Sequence, residues 1–216
     1  MLKLYSYWRS SASYRVRIAL ALKNVEHEYV PVNIYKGDAG EQYGEAYRKL
    51  NPQSRVPYLV DGDFGVGQSI AILDYLESKF PKPALIPADA KARARMWAFC
   101  LTIAADIQPL QNTGPLAYLT REFKVADEQK STWIRHWIER GLGALEQERS
   151  GTKESAFVFG DAPTLADCLL VPQVYNAERY NCDVTKFPRL YALARKLREQ
   201  PAFAKAHPDR QPDATK

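Results

Sequence analysis

Seven consecutive residues, Arg9-Ser10-Ser11-Ala12-Ser13-Tyr14-Arg15, carry the densest chemistry in the sequence. They lie between a strand-like run and a helix-like run. The first turn of a helix leaves N–H groups unpaired and carries partial positive charge, so an anion is favoured there. Serine hydroxyls add donors, and Arg9 and Arg15 add fixed charge. Such a turn suits a thiolate, a phosphate or a carboxylate. It equally suits an ordinary helix start, because serine is a preferred cap. Val56-Pro57 opens a strand, where proline is disfavoured unless its missing donor is useful. A cis bond would turn the Val56 backbone outward to pair with an extended, peptide-like ligand; an edge proline in trans is the plain alternative. Gln68-Ser69 directly precedes a helix, where Ser69 either caps or grips a carboxylate.

The elements that must position these residues alternate between two periods over the first 80 residues. Leu2–Tyr7 reads as a strand and residues 14–23 as a helix. Glu28–Asn33 reads as a second strand and Glu41–Leu50 as a weak polar helix. Val56–Val60 and Phe64–Val66 form a hairpin across Asp61-Gly62-Asp63, and Ser69–Phe80 is a helix. The order is β-α-β-α-β-β-α. A proline-rich linker follows at 81–88. The chain then turns helical, over Lys91–Tyr118 with breaks at Pro109 and Pro115, Asp127–Arg149, Thr164–Arg179 and Arg189–Glu199. The tail after Pro201 reads as irregular. The domain division is therefore 1–80, 81–88 and 89–216, an α/β domain followed by an all-helical one.

The 216 residues are 46% hydrophobic and 25% charged, a globular composition. The net charge of +5 is spread along the chain, with 11 basic and 9 acidic side chains in residues 1–85. That pattern lacks the basic tract of a nucleic-acid binder. Apolar runs fall short of the ~20 residues needed to span a bilayer, and the N-terminus goes straight into a strand without a secretion-signal core. Cys100, Cys168 and Cys182 are far apart and odd in number, which argues against disulfides or zinc and for a cytoplasmic, reducing setting. They read as packing residues, and Trp97, Trp133 and Trp137 as core or interface; Arg17 reads as solvated. Thr164-Leu165-Ala166-Asp167 is a capping pattern that serves folding.

Taken together, these stretches resemble the glutathione transferase superfamily, and within it the zeta class, whose members act as maleylacetoacetate isomerases. The resemblance covers essentially the whole chain. It rests on Y-S-Y-W-R-S-S-A-S-Y-R-V-R-I-A-L-A-L-K at 5–23, L-N-P-Q-S-R-V-P-Y-L at 50–59 and Q-S-I-A-I-L-D-Y-L at 68–76. In the second half it rests on I-Q-P-L-Q-N at 107–112, G-D-A-P-T-L-A-D at 160–167 and L-V-P-Q-V-Y-N-A-E-R-Y at 170–180. The resemblance implies a thioredoxin-like N-terminal domain, an all-helical C-terminal domain, a homodimer and glutathione as cofactor. It implies that Ser10 and Ser11, in a turn completed by Ala12 and Ser13, contact the glutathione sulfur. It implies that Val56 beside a cis Pro57 pairs with the cysteinyl part, and that Gln68 and Ser69 hold the γ-glutamyl carboxylate. Gln42, Gln108 and Asn112 then line the pocket, while Arg179 orients an acidic substrate; the chemistry of arginine makes Arg9, Arg15 and Arg179 the candidates to stabilise the charge of the intermediate and clamp its carboxylates. Relatives commonly carry cysteine where this chain has Ala12, so the reacting sulfur is left to glutathione.

A thiol with a pKa near 8.5 needs about 2.7 kcal/mol of differential stabilisation to drop by ~2 units. A hydroxyl donating to charged sulfur supplies roughly 1.5–3 kcal/mol, and a helix start about 0.3–1 kcal/mol. These suffice without a dedicated base. The implied reaction is reversible thiolate addition to a cis double bond, rotation and elimination, on a small dicarboxylic or keto acid. The alternatives are a maleylpyruvate isomerase, a general glutathione transferase (including one acting on small α-halo acids) and a non-catalytic interaction protein on the same fold.

Overall fold

The computed structural model describes residues 1–36, 40–151 and 153–215. The chain forms two compact units, Met1–Leu85 with Arg198–Lys216, and Ile86–Leu197. In the first, the order is β1 (Leu2–Ser6), α1 (Ser11–Leu22), β2 (His27–Pro31), α2 (Glu45–Leu50), β3 (Tyr58–Asp61), β4 (Phe64–Gly67) and α3 (Ser69–Lys79). This is the β-α-β-α-β-β-α order read from periodicity. The sheet runs β2-β1-β3-β4, with β1 parallel to β2 and the last two pairings antiparallel. Side chains alternate along β1, so Leu2 and Leu4 enter a core with Val16, Leu20, Leu59, Ile72 and Leu76. Gly62 turns the β3–β4 hairpin at φ +64°, a region that costs glycine little.

The proline-rich stretch is pinned where it leaves α3. The ammonium of Lys23, at the end of α1, donates to the carbonyls of Phe80 at 2.7 Å and Pro83 at 2.8 Å, and pairs with Glu77 at 2.6 Å. Glu77 in turn accepts the Leu85 N–H at 2.9 Å. One cation thus meets the otherwise unpaired carbonyls beyond a helix C-terminus.

The second unit is helical throughout its regular structure: α4 (Ala90–Leu101), α5 (Thr113–Phe123), α6 (Asp127–Glu148), α7 (Leu165–Arg179) and α8 (Pro188–Glu199), whose last residues enter the first unit. The expected helix over 91–118 is divided by a π-helical stretch at Thr102–Ile107 and a 3₁₀ turn at Gln108–Gln111. Pro109 falls inside that turn. Pro115 sits in the first turn of α5, where its missing N–H costs no bond. Gly141 permits the approach of α6 to the π stretch, since a Cβ there would overlap the Ile107 side chain. Residues Leu165–Val174 of α7 are buried on every face, the pattern of a central helix.

The tail expected to be irregular is ordered. α9 (Pro201–Ala206) packs on α1, and a 3₁₀ turn follows at Pro208–Arg210. Both begin with proline, which starts a helix as readily as it breaks one. Residues 198–216 therefore pack with the α/β unit, not with the helical domain to which the sequence division of 89–216 assigns them.

Thr164 and Asp167 form the expected capping box at the start of α7. The Asp167 carboxylate accepts the Thr164 N–H at 2.7 Å and hydroxyl at 3.1 Å, and the Val158 N–H at 2.7 Å. Burial pushes its pKa up to about 6, against the pull of these donors. Replacing it orphans two buried N–H groups. Asp167→Ala is expected to lower unfolding stability by about 3 kcal/mol, measured by urea denaturation; a change under ~1 kcal/mol contradicts this account.

Candidate functional site

The turn between β1 and α1 shows why capping and ligand binding need not compete. The Ser10 hydroxyl oxygen accepts the Ser13 N–H at 3.2 Å, and the Ser10 carbonyl accepts the Tyr14 N–H at 2.9 Å. A hydroxyl has one O–H and two lone pairs. Ser10 therefore caps the helix and retains its proton to donate elsewhere. Ser10 and Ala12 are half-buried, whereas Ser11 and Ser13 are buried. The Ser13 hydroxyl is buried with no hydrogen-bond partner among the described residues. Ser10 itself donates its N–H to the Tyr7 carbonyl at 3.0 Å, closing the turn. Arg9 lies against aromatic faces, its guanidinium carbon 4.9 Å from the Trp8 ring centroid and 5.9 Å from that of Tyr35. Delocalised charge on π faces holds this side chain.

The second helix start joins the first. Arg15 is only 2% exposed, and its Nη1 donates to the Ser69 hydroxyl at 3.1 Å. One buried fork thus ties α1 to the first residue of α3. The sequence reading places Arg15 among the catalytic groups; in the structure it bonds to Ser69. Gln68, just before α3, takes φ +66°, unusual for a residue with a side chain. It donates to the Gln53 amide oxygen at 2.7 Å. The Val56–Pro57 bond is cis. The β3 ladder begins at Tyr58, which pairs with Tyr5, so Val56 lies just outside the sheet pairing. Gln42 is buried in a 3₁₀ turn, its amide 3.4 Å from the Ile34 carbonyl and packed over Gly40 at φ +89°.

Three further candidates belong to the second unit. Gln108 opens the 3₁₀ turn after the π stretch and is half-buried. Asn112 caps α5, its side-chain oxygen accepting the Thr113 N–H at 2.8 Å. Arg179 ends α7 with its side chain exposed, 3.3 Å from the Asn176 amide oxygen and with the guanidinium 5.2 Å from the Tyr180 ring centroid. The three cysteines are reduced and buried, as packing requires. Burial pushes the Cys182 thiol up to about 12, away from nucleophilic use. Trp133 is 37% exposed, so it is a surface residue and not a core one; its indole donates to the Leu110 carbonyl.

Arg17 departs most from the sequence reading. It is 3% exposed, not solvated, and donates to the Ser6 hydroxyl and to the carbonyls of Tyr7, Trp8 and Ala206. Asp213, in the tail, accepts the Trp8 N–H and the Tyr29 hydroxyl. Neither role has a motif, because most of the partners are main-chain atoms, which any residue type supplies. The one signal was spacing: Arg15 and Arg17 sit on different faces of α1, so both are buried only if that helix is enclosed on several sides.

Residues 1–78 match the family described as Glutathione S-transferase, N-terminal domain, and residues 120–201 match Glutathione S-transferase, C-terminal domain. The chain is 45% identical to the maleylacetoacetate isomerase of Pseudomonas aeruginosa, over 98% of each chain. A bacterial maleylpyruvate isomerase described as a zeta-class glutathione S-transferase superposes with a TM-score of 0.94 at 42% identity, covering 99% of this chain and 100% of that one. The maleylacetoacetate isomerase of Anaeromyxobacter dehalogenans, solved with glutathione in its active site, superposes at 0.86 with 43% identity, over 100% and 98%. This chain belongs to the glutathione S-transferase family. Within that family it stands with the zeta class and its maleylacetoacetate isomerases.

Ser69 joins the two helix starts, and its loss has a measurable consequence. Ser69→Ala removes a hydroxyl acceptor of the buried Arg15 guanidinium, a bond of roughly 1.5–3 kcal/mol. It is expected to weaken glutathione binding about tenfold by calorimetry, and unchanged affinity would remove Ser69 from the site.

Proposed function

We propose that the protein is a glutathione-dependent cis–trans isomerase of maleylacetoacetate. The observation that carries this reading is the Ser10 hydroxyl, which caps α1 through its oxygen and keeps its O–H available at a positively polarised helix start. The residues present suit glutathione. The half-buried Ser10 hydroxyl and the helix start offer donors for an anionic sulfur, and the cis Val56–Pro57 bond lies just outside the β3 ladder. When bound, glutathione supplies a thiolate that adds reversibly to the cis double bond and leaves after rotation.

Ser10 and Ser11 hold the sulfur in its charged form by hydrogen bonds, with Ala12 and Ser13 completing the turn. Val56 offers main-chain groups to the cysteinyl part beside Pro57. Gln68 and Ser69 hold the γ-glutamyl carboxylate, with Arg15 steadying Ser69 from beneath. Gln42, Gln108 and Asn112 line the ligand site. Arg9 and Arg179 meet the carboxylates of the substrate, for which planar guanidinium groups are well matched. Donors aimed at developing negative charge lower the barrier most when they are already fixed in place.

A second reading, maleylpyruvate isomerisation, is favoured by the TM-score of 0.94 to an enzyme of that name. Both substrates undergo the same chemistry and differ in chain length. The working form is proposed to be a homodimer. Phe64 is 45% exposed on edge strand β4 and lies 4.9 Å from the Tyr75 ring, an apolar patch that a second copy would cover. Three buried cysteines, none of them in a disulfide among the described residues, suit a reducing cytoplasm. Among the described residues no helix is long and apolar enough to cross a membrane.

An ultraviolet assay of cis-to-trans conversion on both acids, with and without glutathione, tests the function; turnover without glutathione would reject it. Ser10→Ala is expected to lower kcat/KM about 10–100-fold, as loss of a hydrogen bond to charged sulfur of roughly 1.5–3 kcal/mol implies. The same change should cost about 1 kcal/mol of stability through the lost cap. Full activity in Ser10→Ala would transfer the role to Ser11. For assembly, light scattering is expected to give a dimer for the wild type and a weakened one for Phe64→Glu; a wild-type monomer contradicts the assembly.

A further inference from the structure

The loop that carries Arg9 and Ser10 is held from outside by the end of the chain. Asp213 sends one carboxylate oxygen to the Trp8 N–H at 3.0 Å and the other to the Tyr29 hydroxyl at 2.6 Å. Arg17 holds the opposite side of the same residue, donating from Nη2 to the Trp8 carbonyl at 2.8 Å. Its Nη1 reaches the Ser6 hydroxyl at 3.2 Å and the Tyr7 carbonyl at 3.3 Å, and its Nε reaches the Ala206 carbonyl at 3.1 Å. Both main-chain polar groups of Trp8 are thus fixed by charged side chains. The tail is braced in turn: Gln211 donates to the carbonyls of Lys205 and His207, and the His207 ring packs edge-on to Tyr14 of α1, 6.1 Å between centroids.

Hydrogen bonds to charged groups are among the strongest available to a loop. Trp8 is 7% exposed, so its N–H has little access to water should Asp213 be lost. Burial and the bond to Asp213 raise the Tyr29 hydroxyl above its ordinary range, so it stays a donor at neutral pH. The Tyr7 carbonyl held by Arg17 also accepts the Ser10 N–H. The chain of contacts therefore runs from the tail carboxylate through Trp8 and Tyr7 to the backbone of the residue that faces the sulfur.

We propose that Asp213 is a positioning residue for the isomerisation, acting with Arg17 through the main chain of Trp8 to set Arg9 and Ser10 in register with the bound thiol. This rests on the reading of Ser10 as the thiolate donor. The tail makes no direct contribution to the chemistry; it removes the freedom of the loop before glutathione arrives. Preorganised donors stabilise developing charge without reorganising during the reaction, and small displacements of such groups are costly in rate.

The test compares Asp213→Ala, Asp213→Asn and Tyr29→Phe in the full chain. Asparagine can accept the Trp8 N–H through its carbonyl and donate to the Tyr29 oxygen through its amide, so it should restore most of the function. Three quantities are read: hydrogen–deuterium exchange over residues 5–10 without ligand, the pH midpoint of thiolate absorbance of bound glutathione, and kcat/KM. Asp213→Ala is expected to speed exchange in that segment about tenfold, raise the thiolate midpoint by about one pH unit and lower kcat/KM about tenfold. Tyr29→Phe should move all three in the same direction by less. Should Asp213→Ala fail to fold, Tyr29→Phe decides the matter by the same readings. Exchange and midpoint both unchanged would overturn the proposal. Faster exchange with an unshifted midpoint would also overturn it, by making the tail structural only. If the wild type binds no glutathione, the functional reading falls; exchange in the unliganded variants still reports whether the clamp exists.

Discussion

A helix cannot pair its own first N–H groups, and much of the candidate site is arranged around that constraint at the opening of α1. Ser10 meets it in part, closing on the Ser13 N–H and leaving donors for an anion. The same constraint recurs at α3, where Ser69 stands at the first position and receives the buried Arg15. Two helix starts joined by one guanidinium are two places where negative charge is favoured. No metal or general base is needed to ionise a thiol there, because the required shift is of the size that a few oriented dipoles supply.

That surface has value only if it is stiff. Much of the supporting structure satisfies buried polar groups whose partners lie far along the chain. Arg17 spends its donors on main-chain oxygens and on one serine, and Asp213 closes the remaining N–H of Trp8. Lys23 does comparable work beyond α3, and Asp167 at the start of α7. Each is a charged group surrounded by directional partners, which is the condition under which buried charge is tolerated.

The division between what was legible in the sequence and what was not follows the range of the interactions. β1, β3 and α3 announce themselves because Leu2, Leu4, Leu59, Ile72 and Leu76 repeat with the period of their element and share one core. Ser10, Pro57 and Ser69 are legible as residue types suited to the ends of elements. The π stretch after α4 is hidden, since no residue type marks a local change of winding; the narrow gap at Gly141 appears only once α6 is packed. The short helix α9 is too brief to show a period and begins with a proline that reads as a break. Arg17 and Asp213 are invisible for a different reason: a side chain that bonds largely to backbone atoms, which every residue type carries, leaves no pattern in the sequence around it.

One consequence concerns the order in which this protein matures during synthesis. The α/β unit is discontinuous: its sheet and serine turn come first, and its last strap, residues 198–216, comes after the whole helical unit. Domains fold roughly as they emerge from the ribosome, and contacts between distant segments form late because their loops are costly to close. The serine turn is therefore translated early but finished late. A nascent chain that has not yet released residue 213 carries the whole serine turn and lacks the carboxylate that holds the Trp8 N–H beside it.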